Sequence, residues 1–238
     1  MIDDNNGADT QQAQGFPIFK DQIRSFKRVI PVTIYDFYIH EDIGEPDKYL
    51  ELIHALKAAD QQDTICINLN THGGNLYTTI QIMAAMAASA AKVVTCLEGQ
   101  VCSAGTFIFL KGDVKVVNPN CTFMVHDYSQ ITSGKGNEIA SQVRYMDKYF
   151  AKLAGDVYAN FLTKEEMSEV MRGVDLWMHS HDVVTRLKEN GHDFVYTGDD
   201  MDAYLDLKSV VPSDVKVSQK DTLKKTPTKT TKKKAVKK

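Results

Sequence analysis

Strand-like and helix-like patterns alternate through the middle of the chain, and this alternation limits the fold more than any other feature of the sequence. Residues 63–70 alternate apolar and polar side chains, which predicts a strand, and a long apolar helix follows at 76–90. A second pair follows at once, with a strand predicted over 91–99 and a helix over 103–112. Such alternation is typical of α/β folds with mostly parallel strands, which is the fold class that we expect.

The flanking segments continue the same alternation. Before the central part, the patterns predict a strand that ends near residue 39 and a helix that Pro46 opens. After it, the turn Asn118-Pro119-Asn120 joins two short strands, and Gly191 is placed to stop the last of three helices. The elements predicted in these flanks are strands at 28–39, 114–118 and 121–128, and helices at 19–30, 45–60, 137–162, 164–173 and 180–191.

Length and composition fit one sizeable domain with a tail at each end. The chain has 238 residues, of which 43% are hydrophobic and 25% charged, as is usual for a soluble globular protein. Residues 1–16 are polar and acidic, and we expect them to be disordered. The predicted domain spans residues 17–212, and a lysine-rich tail follows at 213–238.

The net charge of −3 hides a strong asymmetry between the tail and the rest of the chain. Residues 216–238 contain ten lysines and one aspartate, a balance of +9, while the remainder has 18 basic and 30 acidic side chains, a balance of −12. The tail has few large apolar residues, so we expect it to be disordered and solvated. Contact with nucleic acid, with an acidic partner or with the acidic body of the protein is the alternative.

The four cysteines all lie in apolar, strand-like segments. This context favours free, buried thiols in a reducing compartment over a disulfide framework. The N-terminal segment lacks the basic and apolar regions of a signal peptide, and no apolar run approaches the roughly 20 residues that span a bilayer. We therefore expect a cytoplasmic protein that makes no membrane contact.

Glycine occurs at two junctions where a predicted strand passes into a predicted helix. These junctions are Thr71-His72-Gly73-Gly74-Asn75 and Cys102-Ser103-Ala104-Gly105-Thr106. Glycine lets the backbone approach a ligand closely and leaves N–H groups free to face an anion. Taken alone, the first junction is explained equally well by a plain turn, and Ser103 by an N-cap.

Three side chains at the ends of predicted elements supply what acyl transfer by serine requires. Ser103 would be the nucleophile, His126 the base, and Asp175 the carboxylate that orients the base. Each has a plain structural explanation when taken alone, but their joint presence beside two glycine turns indicates a hydrolase. The chain order serine, histidine, aspartate differs from those of α/β-hydrolases, chymotrypsin and subtilisin, which indicates a separate fold.

The stretch from about Arg28 to Gly191 resembles the proteolytic subunit of the Clp protease, an ATP-dependent serine peptidase. Residues 67–86 resemble the family's strand, its Ser-Pro-Gly-Gly-Ser turn and the helix that follows. Residues 99–112 look like its nucleophile segment, with Ser103 in the serine position. Residues 116–128, which end near His126, are similar to its histidine segment, and residues 171–184 to the segment that carries Asp175.

The resemblance implies a ClpP/crotonase-like α/β fold of stacked βαβ repeats, with a strand-plus-helix handle at about residues 129–160. It also implies a homo-oligomeric ring, a heptamer or double heptamer, that encloses the active sites and degrades protein or peptide substrates. In this family a separate AAA+ unfoldase supplies the chains to be cut. The present chain has no G-x-x-x-x-G-K-[ST] phosphate loop, and we expect it to need no metal or nucleotide cofactor.

The resemblance further assigns the roles of individual residues. Ser103, His126 and Asp175 would form the catalytic triad, and the N–H groups of Gly74 and Ala104 the oxyanion hole. An extended substrate would bind by strand addition between the glycine turn and the handle strand. The residues expected to bind it are Gly73, Asn75, Ile131, Thr132, Ser133 and Gly134.

The sequence departs from the family pattern in several places. His72 stands where the family usually has proline, and Thr71 where it has serine. After Asp175 the usual Pro-Glu segment is replaced by His179-Ser180-His181-Asp182, which we interpret as a helix start and not as a metal site. These departures, with the polar N-terminus and the lysine tail, indicate a divergent member of the kind found in bacteriophages.

Three alternatives to a general degradation subunit remain at the level of sequence. One is a phage protease of the same fold that trims an assembly protein during capsid (prohead) maturation. The second is an acyl-CoA hydratase or isomerase of the crotonase type, although no convincing glutamate lies near the candidate site. The third is a catalytically idle ring subunit, against which the intact set of serine, histidine and aspartate argues.

Overall fold

A computed structural model describes residues 32–198 of the chain. A single sheet of seven strands forms the centre, and a 3₁₀ turn at Pro46–Tyr49 leads into the first of six α-helices in this part of the chain. The strands are β1 Ile34–Ile39, β2 Thr64–Thr71, β3 Lys92–Cys102, β4 Val114–Val117, β5 Thr122–Val125, β6 Leu176–His179 and β7 Phe194–Tyr196. The helices are α1 Leu50–Ala58, α2 Leu76–Ala88, α3 Ala104–Lys111, α4 Gly136–Tyr158, α5 Lys164–Val170 and α6 Ser180–Glu189.

Most strands of the sheet run parallel, in the order β1-β2-β3-β4-β7. The eleven-residue strand β3 is long enough to serve two neighbours in succession. Its first half pairs with β4, and its last three residues pair with β5, which in turn pairs antiparallel with β6. The ends of β2, β3 and β5 are thereby brought together at one edge of the sheet.

Helices cover the sheet where the strand residues are most apolar. On β2 the alternate residues Ile65, Ile67 and Leu69 are fully buried, as expected for a strand packed beneath helices. Phe107, Ile108 and other residues of α3 join them in one core, because nearly every residue of that short helix is buried. This packing fixes the start of α3, where the candidate nucleophile lies.

The structure confirms the predicted α/β class, the mostly parallel strands, the sequence of elements from β1 to α5, and the helix α6. It adds two strands that the sequence analysis did not identify, β6 and β7. The predicted handle is only partly formed: α4 is present, but residues 129–135 are not a strand, because no edge within residues 32–198 pairs with them. The predictions for residues 1–31, including the helix at 19–30, and for residues 199–238 lie outside the described residues.

The four cysteines are free thiols, as predicted. Cys102 and Cys121 are buried, while Cys66 and Cys96 are half-buried on neighbouring strands. Burial raises the pKa of Cys66 to about 11 and that of Cys96 to about 12, so both remain protonated near neutral pH. Among residues 32–198, no helix combines the length and the apolar character that a membrane span requires.

Candidate active site

Ser103 occupies a strained turn between β3 and α3. Its φ of 53° and ψ of −126° lie in a region that residues other than glycine seldom adopt. The Ser103 N–H donates to the carbonyl of Met124 on β5 at 2.8 Å, which ties the turn to the neighbouring strand. A non-glycine residue held in such a conformation is common at functional sites, and it lifts the side chain clear of both elements.

The side chains of Ser103 and His126 lie within hydrogen-bonding distance, with 2.6 Å between Ser103 Oγ and His126 Nε2. The sheet produces this contact directly. Cys102 at the end of β3 is in register with Met124 on β5, so the residues that follow the two strands emerge side by side. The structure therefore brings together two of the three predicted triad residues.

The glycine turn after β2 lies against the Ser103 turn. Gly73 and Gly74 have φ angles of 102° and 136°, which favour glycine strongly. Ile43 pairs with the turn through two hydrogen bonds, donating its N–H to Gly73 O at 2.6 Å and accepting from Asn75 N at 2.7 Å. Within residues 32–198, no hydrogen bond uses the N–H of Gly74 or of Ala104, so both donors remain free.

A cavity of about 330 Å³ opens beside Ser103 and His126. Aromatic and thioether side chains from α3 and α4 form its apolar wall: Phe107, Met146, Phe150 and Tyr158. Gly74, Asn75 and Ala104 line the side next to the nucleophile, and Gln130 and Gln142 lie on the polar side. A cavity of this size next to a paired serine and histidine can receive one amino-acid side chain of an extended peptide.

Asp127 is a carboxylate in the wall of this cavity. Its Oδ1 accepts the N–H of Tyr128 at 2.8 Å, and partial burial raises the pKa of the Asp127 carboxyl above its usual value. The neighbouring Tyr128 donates its hydroxyl to Asp147 at 2.5 Å, which raises the pKa of Tyr128 to about 12. The wall of the cavity thus carries a partly buried carboxyl group directly after the histidine.

Asp175, the third predicted triad residue, is not bonded to His126. The antiparallel pairing of β5 with β6 ends at Val125 and Leu176, and the same register would set Asp175 opposite His126 one step further along. At that point the chain has left the sheet, and the Asp175 side chain is exposed. The structure thus forms no hydrogen bond between Asp175 and His126, although each directly adjoins the last pair of the two strands.

The predicted substrate-binding residues divide into two groups. Gly73 and Asn75 lie at the site, where Asn75 also caps α2 by accepting the N–H groups of Tyr77 and Thr78. The other group precedes α4 in a segment without regular structure and does not line the cavity: Ile131, Thr132, Ser133 and Gly134. Ile131 is fully exposed, and Thr132 donates its hydroxyl to Gln142 at 2.6 Å.

The residues that depart from the family pattern have identifiable partners. The buried Thr71 hydroxyl accepts the N–H of Gly73 at 3.1 Å and so holds the glycine turn from within. The exposed His72 contacts the side chain of Gln100, with 3.0 Å between their nitrogen atoms. Asp182 accepts the N–H of His179 at 2.9 Å and caps α6, as the sequence predicted for a helix start.

Two residues near the nucleophile escaped the sequence analysis. Thr106 and Tyr158 contact each other through their hydroxyl groups, 52 positions apart in the chain. The only signal in the sequence was a threonine within an otherwise apolar helix segment and a tyrosine within an apolar stripe, and both patterns are usual for core residues.

Comparison with known proteins gives one family. No curated protein matches the chain in sequence. The family model described as Clp protease matches residues 39–186, a span that begins at the end of β1, ends within α6 and includes both glycine turns and His126. Because this match covers more than half of the 238 residues, the chain belongs to the Clp protease family.

Proposed function

We propose that the protein is a serine endopeptidase in which Ser103 and His126 carry out the chemistry. The observation that carries the proposal is the 2.6 Å contact between Ser103 Oγ and His126 Nε2, made by a serine that is held at a φ of 53°. Membership of a peptidase family supports hydrolysis of peptide bonds as the reaction. The free N–H groups of Gly74 and Ala104 next to this pair support acyl transfer as its mechanism.

The first half of the reaction is acylation. His126 Nε2 takes the hydroxyl proton of Ser103 while Oγ bonds to the carbonyl carbon of the substrate, which gives a tetrahedral oxyanion. The imidazolium then donates that proton to the leaving nitrogen, the C–N bond breaks, and an acyl-enzyme remains. The N–H groups of Gly74 and Ala104 would stabilise the oxyanion, each donor being worth about 3–4 kcal/mol in the transition state.

The second half returns the enzyme to its starting state. Water gives a proton to His126 Nε2 and adds to the acyl carbon. As the second oxyanion collapses, the C–Oγ bond breaks, the imidazolium returns its proton to Ser103 Oγ, and the acid product is released. Asp175 is the proposed partner of His126 Nδ1, since its register position faces the histidine. A hydrogen bond from His126 Nδ1 to this exposed carboxylate would fix the histidine tautomer and stabilise the imidazolium.

The cavity supports an extended protein substrate. Its apolar wall suits an apolar side chain next to the cleaved bond. Within residues 32–198 the backbone groups of residues 129–134 make no backbone hydrogen bond, which supports strand addition at this segment. Assembly into rings, for which a separate unfoldase would supply substrates, is part of the same proposal. The helix α4 supports it, because Ile139 and Val143 in its first half do not pack against the core formed by residues 32–198 and could pack against a second subunit.

Replacement of the proposed nucleophile tests this function. We expect Ser103→Ala to abolish cleavage of a fluorogenic peptide and labelling by a fluorophosphonate, because the hydroxyl is the atom that bonds to both. The matched control is Ser168→Ala, which removes an exposed hydroxyl from α5, outside the cavity, and should leave both signals intact. Cleavage that survives Ser103→Ala would overturn the assignment. A native protein that neither cuts peptides nor reacts with the fluorophosphonate would overturn the function itself.

A further inference from the structure

A buried chain of hydroxyl groups connects the end of α4 with the nucleophile turn. The Thr106 hydroxyl lies 2.6 Å from the carbonyl oxygen of Ser103 and 2.5 Å from the hydroxyl of Tyr158. Thr106 is fully buried, and Tyr158 is only 2% exposed. The Thr106 N–H donates to the same Ser103 carbonyl at 2.9 Å, so this oxygen accepts two hydrogen bonds from one residue.

The direction of the chain follows from the number of protons available. A carbonyl oxygen can only accept, so the single proton of the Thr106 hydroxyl must point to Ser103. The Tyr158 hydroxyl must then donate to Thr106 Oγ1. Burial raises the pKa of Tyr158 well above its usual value, which keeps this hydroxyl protonated and able to donate.

The Ser103 carbonyl controls one of the two proposed oxyanion donors. It belongs to the same planar trans peptide as the N–H of Ala104, and the two bonds point in opposite directions. Holding the carbonyl on one side therefore aims the Ala104 N–H to the other side, towards the cavity. The constraint matters here because Ser103 has a φ of 53°, which its own sterics do not favour.

Aromatic packing holds the far end of the chain of hydroxyls. The Tyr158 ring stacks on Phe107 with 5.1 Å between centroids, and Phe107 packs edge-on against Phe150 at 6.1 Å. These contacts involve the rings and not the hydroxyl. Loss of the Tyr158 hydroxyl alone should therefore leave the ring in place.

We infer that Thr106 and Tyr158 are positioning residues for catalysis, which act by fixing the Ser103–Ala104 peptide so that the Ala104 N–H faces the oxyanion. This inference rests on the proposed serine peptidase function and extends it to two residues whose hydroxyl groups are bonded within the fold and not to substrate or reacting atoms. An oxyanion donor acts in the transition state and not in substrate binding. Its misalignment should lower kcat and leave KM unchanged.

Three variants of the full chain test the inference with a fluorogenic peptide. Thr106→Val keeps the shape but loses the hydroxyl, and we expect kcat to fall about tenfold or more while KM stays within about twofold. Thr106→Ser restores the hydroxyl and should recover kcat to within about twofold. Tyr158→Phe removes only the outer donor, so we expect a smaller fall in kcat, of about threefold.

Binding of a transition-state analogue distinguishes a positioning role from a merely structural one, because only loss of the positioning role should weaken it. The inhibition constant of a peptide boronate, whose tetrahedral adduct on Ser103 occupies the oxyanion hole, should rise in Thr106→Val by about the factor by which kcat falls. The KM of the matching peptide should not follow it. If Thr106→Val does not fold, as judged by circular dichroism, the same comparison is made with Tyr158→Phe, which perturbs the core less.

The results separate this inference from the function on which it rests. A wild-type protein that does not react with a fluorophosphonate overturns both. If the wild type reacts at Ser103 but Thr106→Val keeps its kcat, or Thr106→Ser is as impaired as Thr106→Val, only the inference is overturned. The same holds if KM rises while kcat is unchanged.

Discussion

Gly73 lies so close beneath Ser103 that it leaves no room for a side chain. A Cβ built on Gly73 would be 2.7 Å from the Cβ of Ser103 and 2.9 Å from the N atom of Ala104, both nearer than real Cβ contacts come. The φ of Gly73, 102°, disfavours any other residue as well. The turn that follows β2 thus supports the nucleophile turn that follows β3, and the two act as one unit.

We therefore expect Gly73→Ala to lower kcat by at least about 100-fold, because the new methyl group must displace the nucleophile or an oxyanion donor. The matched control is Gly155→Ala on α4, where no atom of the described residues outside the helix backbone lies within 4 Å of the added methyl group. This control should retain full activity and gain about 0.5–1 kcal/mol in unfolding free energy, as alanine favours a helix over glycine. Peptide hydrolysis and urea unfolding measure both effects. Equal activity in the two variants would contradict the close contact at Gly73.

The order of elements was predictable because each one depends on local pattern. The strand β2 and the helix α2 carry uninterrupted periodicity, and the glycine turn between them marks the boundary, so both ends were placed to within a residue or two. The pairing of Ser103 with His126 came from recognising three segments in order. It did not come from periodicity, which says nothing of which strands are neighbours.

The features that could not be predicted from the sequence depend on contacts between distant parts of the chain. The short strands β6 and β7 are defined by their partners β5 and β4, since three or four residues carry no clear pattern of their own. The predicted handle strand lacks such a partner within residues 32–198. The contact between Thr106 and Tyr158 was not predictable for a similar reason. A hydroxyl group within an apolar segment reads as an ordinary core residue unless its distant partner is known.

The third member of the triad can be identified by comparing three aspartates. We expect Asp175→Asn to lower kcat by about 10⁴, because an amide favours the wrong tautomer of His126. Asp127→Asn should change activity far less, since Asp127 Oδ1 is engaged by the Tyr128 N–H. Asp182→Asn removes a helix cap and should affect stability more than kcat. Measurement of kcat for the three variants identifies the carboxylate that orients His126. If Asp175→Asn lowers kcat less than tenfold, that role belongs to whichever of Asp127 and Asp182 shows the large effect.

The ion pair between Glu166 and Arg186 should make stability depend on pH. Arg186 Nη2 lies 2.5 Å from Glu166 Oε1 and Nη1 lies 2.8 Å from Oε2, with both side chains 21% exposed. The hydrogen bonds from Arg186 lower the pKa of Glu166 to about 2. A carboxyl with a lowered pKa stabilises the fold above its unfolded pKa, near 4.5, and this stabilisation is lost as the pH falls towards 2.

Urea unfolding of Glu166→Gln should accordingly show a loss of about 2 kcal/mol at pH 7. The difference from the wild type should shrink steadily as the pH is lowered from about 4.5. Asp156→Asn is the control, because its pair with Lys152 is largely exposed and should contribute nothing measurable. A difference for Glu166→Gln that stays constant down to pH 3 would show that the lowered pKa is not its cause.

Assembly should depend on the first half of α4. Ile139 and Val143 lie on the same face of the helix as the buried Met146 and Phe150, but within residues 32–198 neither packs against the core. We expect Val143→Asp to shift the protein in light scattering from a ring to a mass near that of one chain, 26.6 kDa. The control Ser141→Asp, on the exposed opposite face, should still assemble. A wild-type protein that is monomeric at micromolar concentration would rule out the ring.

The lysine-rich tail should be dispensable for the chemistry. Ser103 and His126, the glycine turns and the cavity all lie within residues 32–198, so deletion of residues 216–238 should leave kcat and KM for a short peptide unchanged. Loss of folding or of peptide cleavage on this deletion would show that the tail belongs to the folded enzyme. Circular dichroism and peptide hydrolysis distinguish these outcomes.

A DNA-binding measurement on the same deletion variant tests whether the tail binds a polyanion. Ten lysines within 23 residues would bind duplex DNA through counterion release, so the binding constant should fall steeply as salt is added. In a plot of the logarithm of the binding constant against the logarithm of the salt concentration, each neutralised phosphate contributes a slope of about −0.9. A full-length variant with the ten lysines replaced by glutamine separates charge from length, and it should behave like the deletion. If the wild type binds DNA no better than these two proteins at 50 mM salt, the tail is only a solvated extension. In that case its charge serves neither the active site nor a nucleic-acid contact.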